Sequence, residues 1–309
     1  MKVRVRVPAT TANLGPGFDA LGMALDLWNE TLWTPSEDGR IHVTIAGEGA
    51  GVLPTDATNA IVAAALSLYD RLGVPCPGFR VHCVNRIPLG SGLGSSSAAL
   101  LSGLLGANAL LGEPLSREEI LRMAIETEGH PDNVAPAMLG GLVVSILHDG
   151  RVVSIKLPAR ANRAPVRATV VLPDIDFPTE YARSILPRTV DRQDAIYNIS
   201  RSVLVVEALR TGDLEMLGKA MDDRIHQPYR LPLIPGALAA MEAARRAGAA
   251  AVALSGAGPS LIAFSADWDL TIGEAMRREF ERAGLRARVF HLRVTERGAR
   301  VIRWQRAGK

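Results

Sequence analysis

The sequence predicts a two-domain α+β protein, and three observations carry that reading. A chain of 309 residues with 48% hydrophobic content buries a large core, and its length suits two moderate domains. Runs of period-two hydrophobicity and runs of helical spacing alternate along the whole chain. The composition then loosens through Pro158-Ala-Arg-Ala-Asn-Arg-Ala-Pro165, which marks a junction between residues 1–157 and 165–309.

In chain order, Val3 to Val7 alternate with Lys2, Arg4 and Arg6, a strand with one wet face that Pro8 should end. Ala9 to Asp19 holds too much Gly, Pro and Asn for regular structure. It carries Asn13 and Asp19, which either cap their own turns or face a small polar ligand. Ala24 to Trp33, Ile41 to Ala46 and Phe79 to Ile87 read as strands, and Asn59 to Leu72 as a helix. A small-residue helix from about Ala98 to Leu111 follows. Ser116 and Glu119 form a capping box that opens a second helix over Arg117 to Thr127.

That helix runs into Glu126-Thr127-Glu128-Gly129-His130-Pro131-Asp132-Asn133, ahead of Gly140-Gly141 and a strand over Leu142 to Leu147. Acids at a helix C-terminus oppose the dipole, and such placement is better tolerated where a cation is expected.

Beyond the junction come a strand, Arg167 to Leu172, and helical stretches near Arg192 to Thr211, Asp213 to Asp223 and Ile234 to Ala247. Strands over Ala249 to Leu254 and Leu261 to Phe264 flank a glycine turn, Ser255 to Ser260. A helix from about Thr271 to Ala283 and a last strand, Arg286 to Leu292, complete an alternation suited to a ferredoxin-like domain.

Composition excludes several function classes. A net charge of +3 spread along the chain, with 5% aromatic residues, lacks the basic and aromatic clusters of a nucleic-acid binder. No apolar run is long enough to span a membrane and no signal peptide opens the chain, so the expected location is cytoplasmic. Cys76 and Cys83 have no second pair or histidine pattern beside them and read as free thiols.

The stretch with the strongest chemical signal is Pro88-Leu89-Gly90-Ser91-Gly92-Leu93-Gly94-Ser95-Ser96-Ser97. Glycines let the backbone approach a ligand closely, and the helix start offers unpaired N–H donors and a positive dipole end to a polyanion. The serine hydroxyls add hydrogen bonds or an oxygen ligand for a hard metal. No lysine follows Gly94 as a P-loop requires, and the spacing Gly90-x-Gly92-x-Gly94 is not a dinucleotide fingerprint.

This stretch resembles the ATP-binding motif of the GHMP kinases, Pro-x-x-x-Gly-Leu-Gly-Ser-Ser-x-Ala, matched from Pro88 to Ala98. Pro8 to Asp19 resembles the first motif of the homoserine kinase branch, Glu128 to Asn133 its Glu-Gly-…-His-x-Asp-Asn pattern, and Ser255 to Ser260 the third motif of the superfamily. The resemblance covers essentially the whole chain. It implies the two-domain GHMP kinase fold, with an N-terminal ribosomal protein S5 domain 2-like domain and a C-terminal ferredoxin-like domain. It further implies phosphorylation of the L-homoserine hydroxyl by ATP.

For the site, it implies ATP at Pro88, Leu89, Gly90, Ser91, Gly92, Leu93, Gly94, Ser95, Ser96 and Ser97, with Gly256 and Gly258 folding over. It places Mg²⁺ on Ser96 and Glu128, with Glu126 as the alternative acid. L-homoserine falls to Asn13, Asp19, Thr179, Arg183 and Arg230, the two arginines taking the carboxylate. His130, Asp132 and Asn133 stand near the substrate. One departure from the wider superfamily is that Thr10 and Thr11 occupy the place of a basic residue, and Asn133 that of an aspartate, so no side chain serves as an obligatory base. The remaining partners implied are few: no nucleic acid, no membrane, and a homodimer left open. The competing readings are a ligand sensor that keeps the fold without turnover, or a kinase for another small alcohol.

Overall fold

The computed structural model describes residues 2–159 and 165–304. Most of the expected junction, residues 160–164, lies outside them.

Two sheets organise the chain. The first has seven strands: β1 (Lys2–Ala12), β2 (Leu21–Pro35), β3 (His42–Gly47), β4 (Phe79–Asn85), β5 (Leu142–His148), β6 (Arg151–Leu157) and β11 (Arg300–Trp304). Their path is β11-β1-β2-β4-β3, with β3 and β4 parallel. The long strand β2 pairs β4 from Glu30 onward, and at its start, over Leu21–Met23, it pairs β5, which carries β6 as an edge hairpin. The second sheet is antiparallel, ordered β10-β7-β9-β8, from β7 (Arg167–Pro173), β8 (Ala251–Leu254), β9 (Leu261–Ser265) and β10 (Ala287–Arg293). Counted within this sheet the order is 4-1-3-2, the ferredoxin-like arrangement expected from the alternation.

Helices α1 (Ala60–Leu72), α2 (Ser95–Leu110), α3 (Arg117–Glu128) and α4 (Pro131–Leu139) cover the first sheet. Helix α2 is buried almost all round, which explains its uniformly small and aliphatic composition. Gly103 and Gly106 let it lie directly on α1 and on the Trp33 indole; a Cβ would stand 2.3 Å from Ile61 O and 2.2 Å from the ring. The capping box Ser116/Glu119 forms as expected. In the second half, α5 (Thr179–Ser184), α6 (Arg192–Thr211), α7 (Leu214–Ala220), the short α8 (Gln227–Arg230) and α9 (Ala237–Arg246) connect β7 to β8, and α10 (Leu270–Arg282) connects β9 to β10.

The structure corrects the sequence reading at three places. Strand β1 does not end at Pro8 but continues to Ala12, with a register shift between Pro8 and Ala9. Its pairing with β11 stops at Arg6, so Pro8 lies beyond that neighbour and its missing N–H breaks no bond on that side. The ligand-rich segment after Glu128 holds a helix, α4, with Pro131 in its first turn and Pro136 inside it. Pro136 leaves the Asp132 carbonyl without its helical donor, and β2 packs against that carbonyl through Gly22, where a Cβ would be 1.8 Å away. Finally, β11 returns from the end of the chain to pair β1 in the first sheet.

Cys76 and Cys83 are free thiols as expected, and burial pushes Cys83 up to about 12. Among the described residues no helix is long and apolar enough to cross a membrane.

Candidate functional site

Where the two sheets meet, a cleft of about 390 Å³ opens between the glycine-rich loop, the start of α4, α5 and the turn after β8. The loop is held by backbone geometry. Gly90, Gly92 and Gly94 all have positive φ, and side chains at two of them would collide with the scaffold. A Cβ on Gly92 would lie 2.2 Å from Ser255 O, and one on Gly94 2.0 Å from Thr10 Oγ1. Thr10 N donates to Leu93 O at 3.0 Å, and Ser255 Oγ donates to Gly92 O at 2.8 Å. The loop is thus fixed from both sheets. Ser95 to Ser97 begin α2, whose N-terminal residue Gly94 carries no side-chain cap, so the N–H groups of the first turn face the cleft.

Opposite the serines lies Glu128, at the last turn of α3. Ser96 Oγ and Ser97 Oγ each donate to its carboxylate at 3.1 Å. Glu126, the alternative acid, turns to solvent, where it pairs with Arg71 at 3.2 Å and Arg122 at 3.9 Å. The two acids of the motif therefore occupy different environments, and Glu128 is the one that lines the cleft.

At the N-terminus of α4, Asp132 is buried; its Oδ1 lies 2.7 Å from His130 Nδ1 and accepts from Asn133 Nδ2 at 3.4 Å. Thr10 Oγ1 donates to Asn133 Oδ1 at 2.7 Å. Burial alone would pull the His130 imidazolium down in pKa, but the hydrogen bond and charge of Asp132 outweigh it and leave the pKa raised.

The first motif folds under the cleft. Asn13 and Asp19 both sit at positive φ, and Asp19 N donates to Asn13 Oδ1 at 2.9 Å, closing the loop on itself. Asn13 Nδ2 donates to Gly256 O at 2.8 Å, which ties the loop to the turn after β8. The turn reading of Asn13 holds, and the same residue lines the cleft.

Two arginines face it from the second half. Arg183 of α5 makes a bidentate pair with Asp19, at 3.0 and 2.8 Å. Arg230 is 1% exposed, yet no carboxylate comes within ion-pair distance of it among the described residues. Its Nε donates to Ala182 O at 2.9 Å and its Nη1 lies 3.4 Å from His226 Nδ1. Burial first, and then repulsion by Arg183, lower its pKa to about 10.

His226 is buried and kept neutral: its pKa is lowered chiefly by burial, against the pull of Asp223. Its Nε2 lies 2.8 Å from Gly15 O, so the assigned proton is on Nε2 and Nδ1 faces Arg230. The Asp223 carboxylate accepts from the backbone N–H of Ile225, His226 and Gln227 and from Asn198 Nδ2, which fixes the whole 223–230 turn. Phe18 stacks on His226 with ring centroids 5.2 Å apart, and both guanidiniums lie over its ring.

Most residues singled out in the sequence meet here. Asn13, Gly90, Ser91, Gly92, Gly94, Ser95, Ser96, Ser97, Glu128, His130, Asp132, Asn133, Thr179, Arg183, Arg230 and Gly256 line the one cleft. Five do not. Leu93 is buried in the core; its carbonyl accepts from Thr10 N and its N–H donates to Ser91 Oγ. Gly258 lies behind the loop, its carbonyl close to Gly92. Asp19 is held behind Arg183. Pro88 and Leu89 line an adjoining pocket of about 600 Å³ with Val52 and Ile175, which meets the cleft at Gly90.

Sequence reasoning passed over Phe18, Asp223 and His226, which support the arginines, and Glu180, Thr127 and Ala257, which line the cleft. The adjacency of Phe18 to Asp19 was a usable signal. Thr127, Glu180 and Ala257 offered the same signal beside Glu128, Thr179 and Gly256, whereas Asp223 and His226 act through the fold of the 223–230 turn.

Residues 59–141 match the GHMP kinases N terminal domain and residues 205–285 the GHMP kinases C terminal domain. A homoserine kinase of Moorella thermoacetica is 46% identical over 299 residues, covering 96% of this chain and 99% of that protein. One of Carboxydothermus hydrogenoformans is 42% identical, covering 96% of each. Among solved structures, a homoserine kinase from Cytophaga hutchinsonii superposes with a TM-score of 0.86 at 34% identity, covering 97% of each chain.

Proposed function

The chain belongs to the homoserine kinases of the GHMP kinase family, and from that premise we propose that it transfers the γ-phosphoryl group of ATP to the side-chain hydroxyl of L-homoserine, giving O-phospho-L-homoserine and ADP. The observation that carries the choice of acceptor is Arg230. A guanidinium this buried, without a carboxylate partner among the described residues, is costly unless an anion completes it, and it faces the cleft opposite the glycine loop. An α-amino acid supplies that carboxylate. Its ammonium group finds Asp19 and Asn13 a few residues away in the first motif.

The nucleotide reading follows from the loop. The N–H groups of residues 90–97 cradle the phosphates at the start of α2, and the apolar pocket of Val52, Pro88, Leu89 and Ile175 takes the adenine base. Ser96 and Glu128 form a hard oxygen donor set suited to Mg²⁺, which keeps other positions for phosphate oxygens and water. When bound, the metal neutralises charge on the phosphoryl oxygens.

The chain's own residues then position the acceptor. Asn133 Oδ1 is occupied by Thr10 and one Nδ2 hydrogen by Asp132, so one amide hydrogen remains to orient the homoserine hydroxyl. An amide takes no proton at neutral pH, and the Nδ1 side of His130 is engaged by Asp132. In a loose transition state little charge builds on the attacking oxygen until late, so its proton passes to the phosphate oxygens without an obligatory base. A cytoplasmic location, where ATP is supplied, is the reading adopted with this reaction. The test is ADP release over a panel of L-homoserine, L-serine, L-threonine and mevalonate: homoserine should be preferred, and ADP release driven only by another alcohol rejects the assignment.

A further inference from the structure

His226 is fully buried, yet it reaches both ends of the proposed acceptor site. Its Nε2 donates to Gly15 O at 2.8 Å, in the loop that carries Asn13 and Asp19, and its Nδ1 accepts from Arg230 Nη1 at 3.4 Å. Only the neutral Nε2–H tautomer makes both contacts. An imidazolium has no lone pair to accept from a guanidinium, and the opposite tautomer would point a lone pair at the Gly15 carbonyl and an N–H at Arg230. The charged groups around the ring are Asp223, whose Oδ2 lies 3.5 Å from Nε2, Arg230, and, across the Phe18 ring, Arg183 with its partner Asp19.

Both anchors are themselves fixed. Gly15 has a φ of +71°, a Cβ there would stand 2.1 Å from Met221 O, and the next carbonyl, Pro16 O, accepts from Asn198 and Ser202 of α6. The loop therefore cannot draw back from the ring. On the other side Arg230 Nε donates to Ala182 O at 2.9 Å, so Ala182 and His226 hold two of the three guanidinium nitrogens and with them the plane of the group. No hydrogen bond engages Nη2 among the described residues; it is left, with the second hydrogen of Nη1, for an incoming anion.

The choice of histidine has a physical reason. A carboxylate in its place would hold the guanidinium equally well, but it would also cancel the charge and compete with the substrate carboxylate. A neutral acceptor orients Arg230 and leaves its charge for the ligand. Without that acceptor a buried N–H donor would be unpaired and the guanidinium hinged on Nε alone.

We propose that His226 is a positioning residue for the amino acid substrate: it acts through Arg230, setting the guanidinium plane against the Asn13–Asp19 loop, and thereby raises the affinity for homoserine. This role rests on the homoserine reading and deepens it.

The test is steady-state ADP release by the full chain and by two amide variants that separate the two contacts. His226→Gln keeps a donor at the Nε2 position and has no acceptor at that of Nδ1; His226→Asn keeps an acceptor near the Nδ1 position and gives up the donor to Gly15. His226→Gln should raise the KM for homoserine about tenfold, with kcat and the KM for ATP within about twofold, because the lost contact serves ground state and transition state alike. His226→Asn should stay within about threefold of the wild-type homoserine KM. An unchanged homoserine KM in His226→Gln, an equal rise in the two variants, or a rise shared by homoserine and ATP overturns the proposal. If only His226→Asn folds, as judged by circular dichroism, a homoserine KM raised about tenfold or more overturns it by itself. A wild type that turns over no homoserine refutes the acceptor reading instead, whereas with an active wild type the variants decide the role of His226 alone.

Discussion

In the proposed binding mode the zwitterion of homoserine exchanges partners with the pair Asp19–Arg183. The two side chains neutralise one another, and each is about one-third exposed. A pair of that exposure contributes ~1 kcal/mol or less. Charge-assisted contacts to a bound ligand are stronger, ~1.5–3 kcal/mol each, so homoserine gains at both ends by drawing Arg183 to its carboxylate and Asp19 to its ammonium. Arg183→Ala should therefore cost about 2 kcal/mol of homoserine affinity, a ~30-fold weaker Kd, and leave the affinity for an ATP analogue nearly unchanged. The same reasoning applies to 4-hydroxybutyrate, which lacks the ammonium. It takes Arg183 away and leaves Asp19 unpaired, so it should bind the wild type roughly 30-fold more weakly than homoserine does. That gap should narrow in Asp19→Asn. Calorimetric titrations of both ligands into the three proteins read these quantities. Equal loss of homoserine and nucleotide binding in Arg183→Ala would mean that the pair only holds α5 in place, and an undiminished gap in Asp19→Asn would mean that Asp19 does not read the ammonium.

Three further outcomes are expected. Glu128→Gln should cut kcat by about two orders of magnitude while nucleotide binding remains measurable, and Glu126→Gln, whose partner is Arg71 in solvent, should leave kcat within about twofold; the reverse pattern would move the metal to Glu126. Gly94→Ala adds a Cβ 2.0 Å from Thr10 Oγ1 at a φ of +71°, whereas Gly90→Ala at +58° meets nothing within 4 Å. The first should lose ATP binding and several kcal/mol of stability and the second only ~1–2 kcal/mol, as judged by urea titration; equal effects would show that strain alone sets both. For pH, burial lowers His226 from 6.5, so the unfolded chain takes up a proton there before the folded chain does. Stability is therefore full above about 6.5 and falls as pH drops through that value towards the folded pKa. His226→Gln should flatten the decline in Tm between pH 6.5 and 5, and a decline as steep as that of the wild type would assign it to other groups.

Much of this was legible because it is locally encoded. The capping box of α3, the bounds of α6 and the ligand-rich run from Glu128 to Asn133 follow from neighbours within a few residues. The glycine loop was legible for a related reason: positive φ and close approach leave few alternatives to glycine. The misses are long-range. Pro8 reads as a strand end until β11, nearly three hundred residues on, proves to stop short of it. Helix α4 was hidden by its own prolines, one tolerated in the first turn and the other by the packing of Gly22 on the Asp132 carbonyl. The Asp19–Arg183 pair spans 164 residues, and no local pattern announces that two groups assigned to opposite ends of a substrate hold each other.

In the proposed reaction the side-chain hydroxyl of homoserine attacks the γ-phosphate. The direct measurement is turnover of L-homoserine labelled with ¹⁸O at that hydroxyl, followed by ³¹P NMR. A phosphomonoester whose resonance carries the isotope shift of a bridging ¹⁸O is the predicted product. An acid-labile acyl phosphate without that shift, or release of inorganic phosphate alone, would contradict the claim.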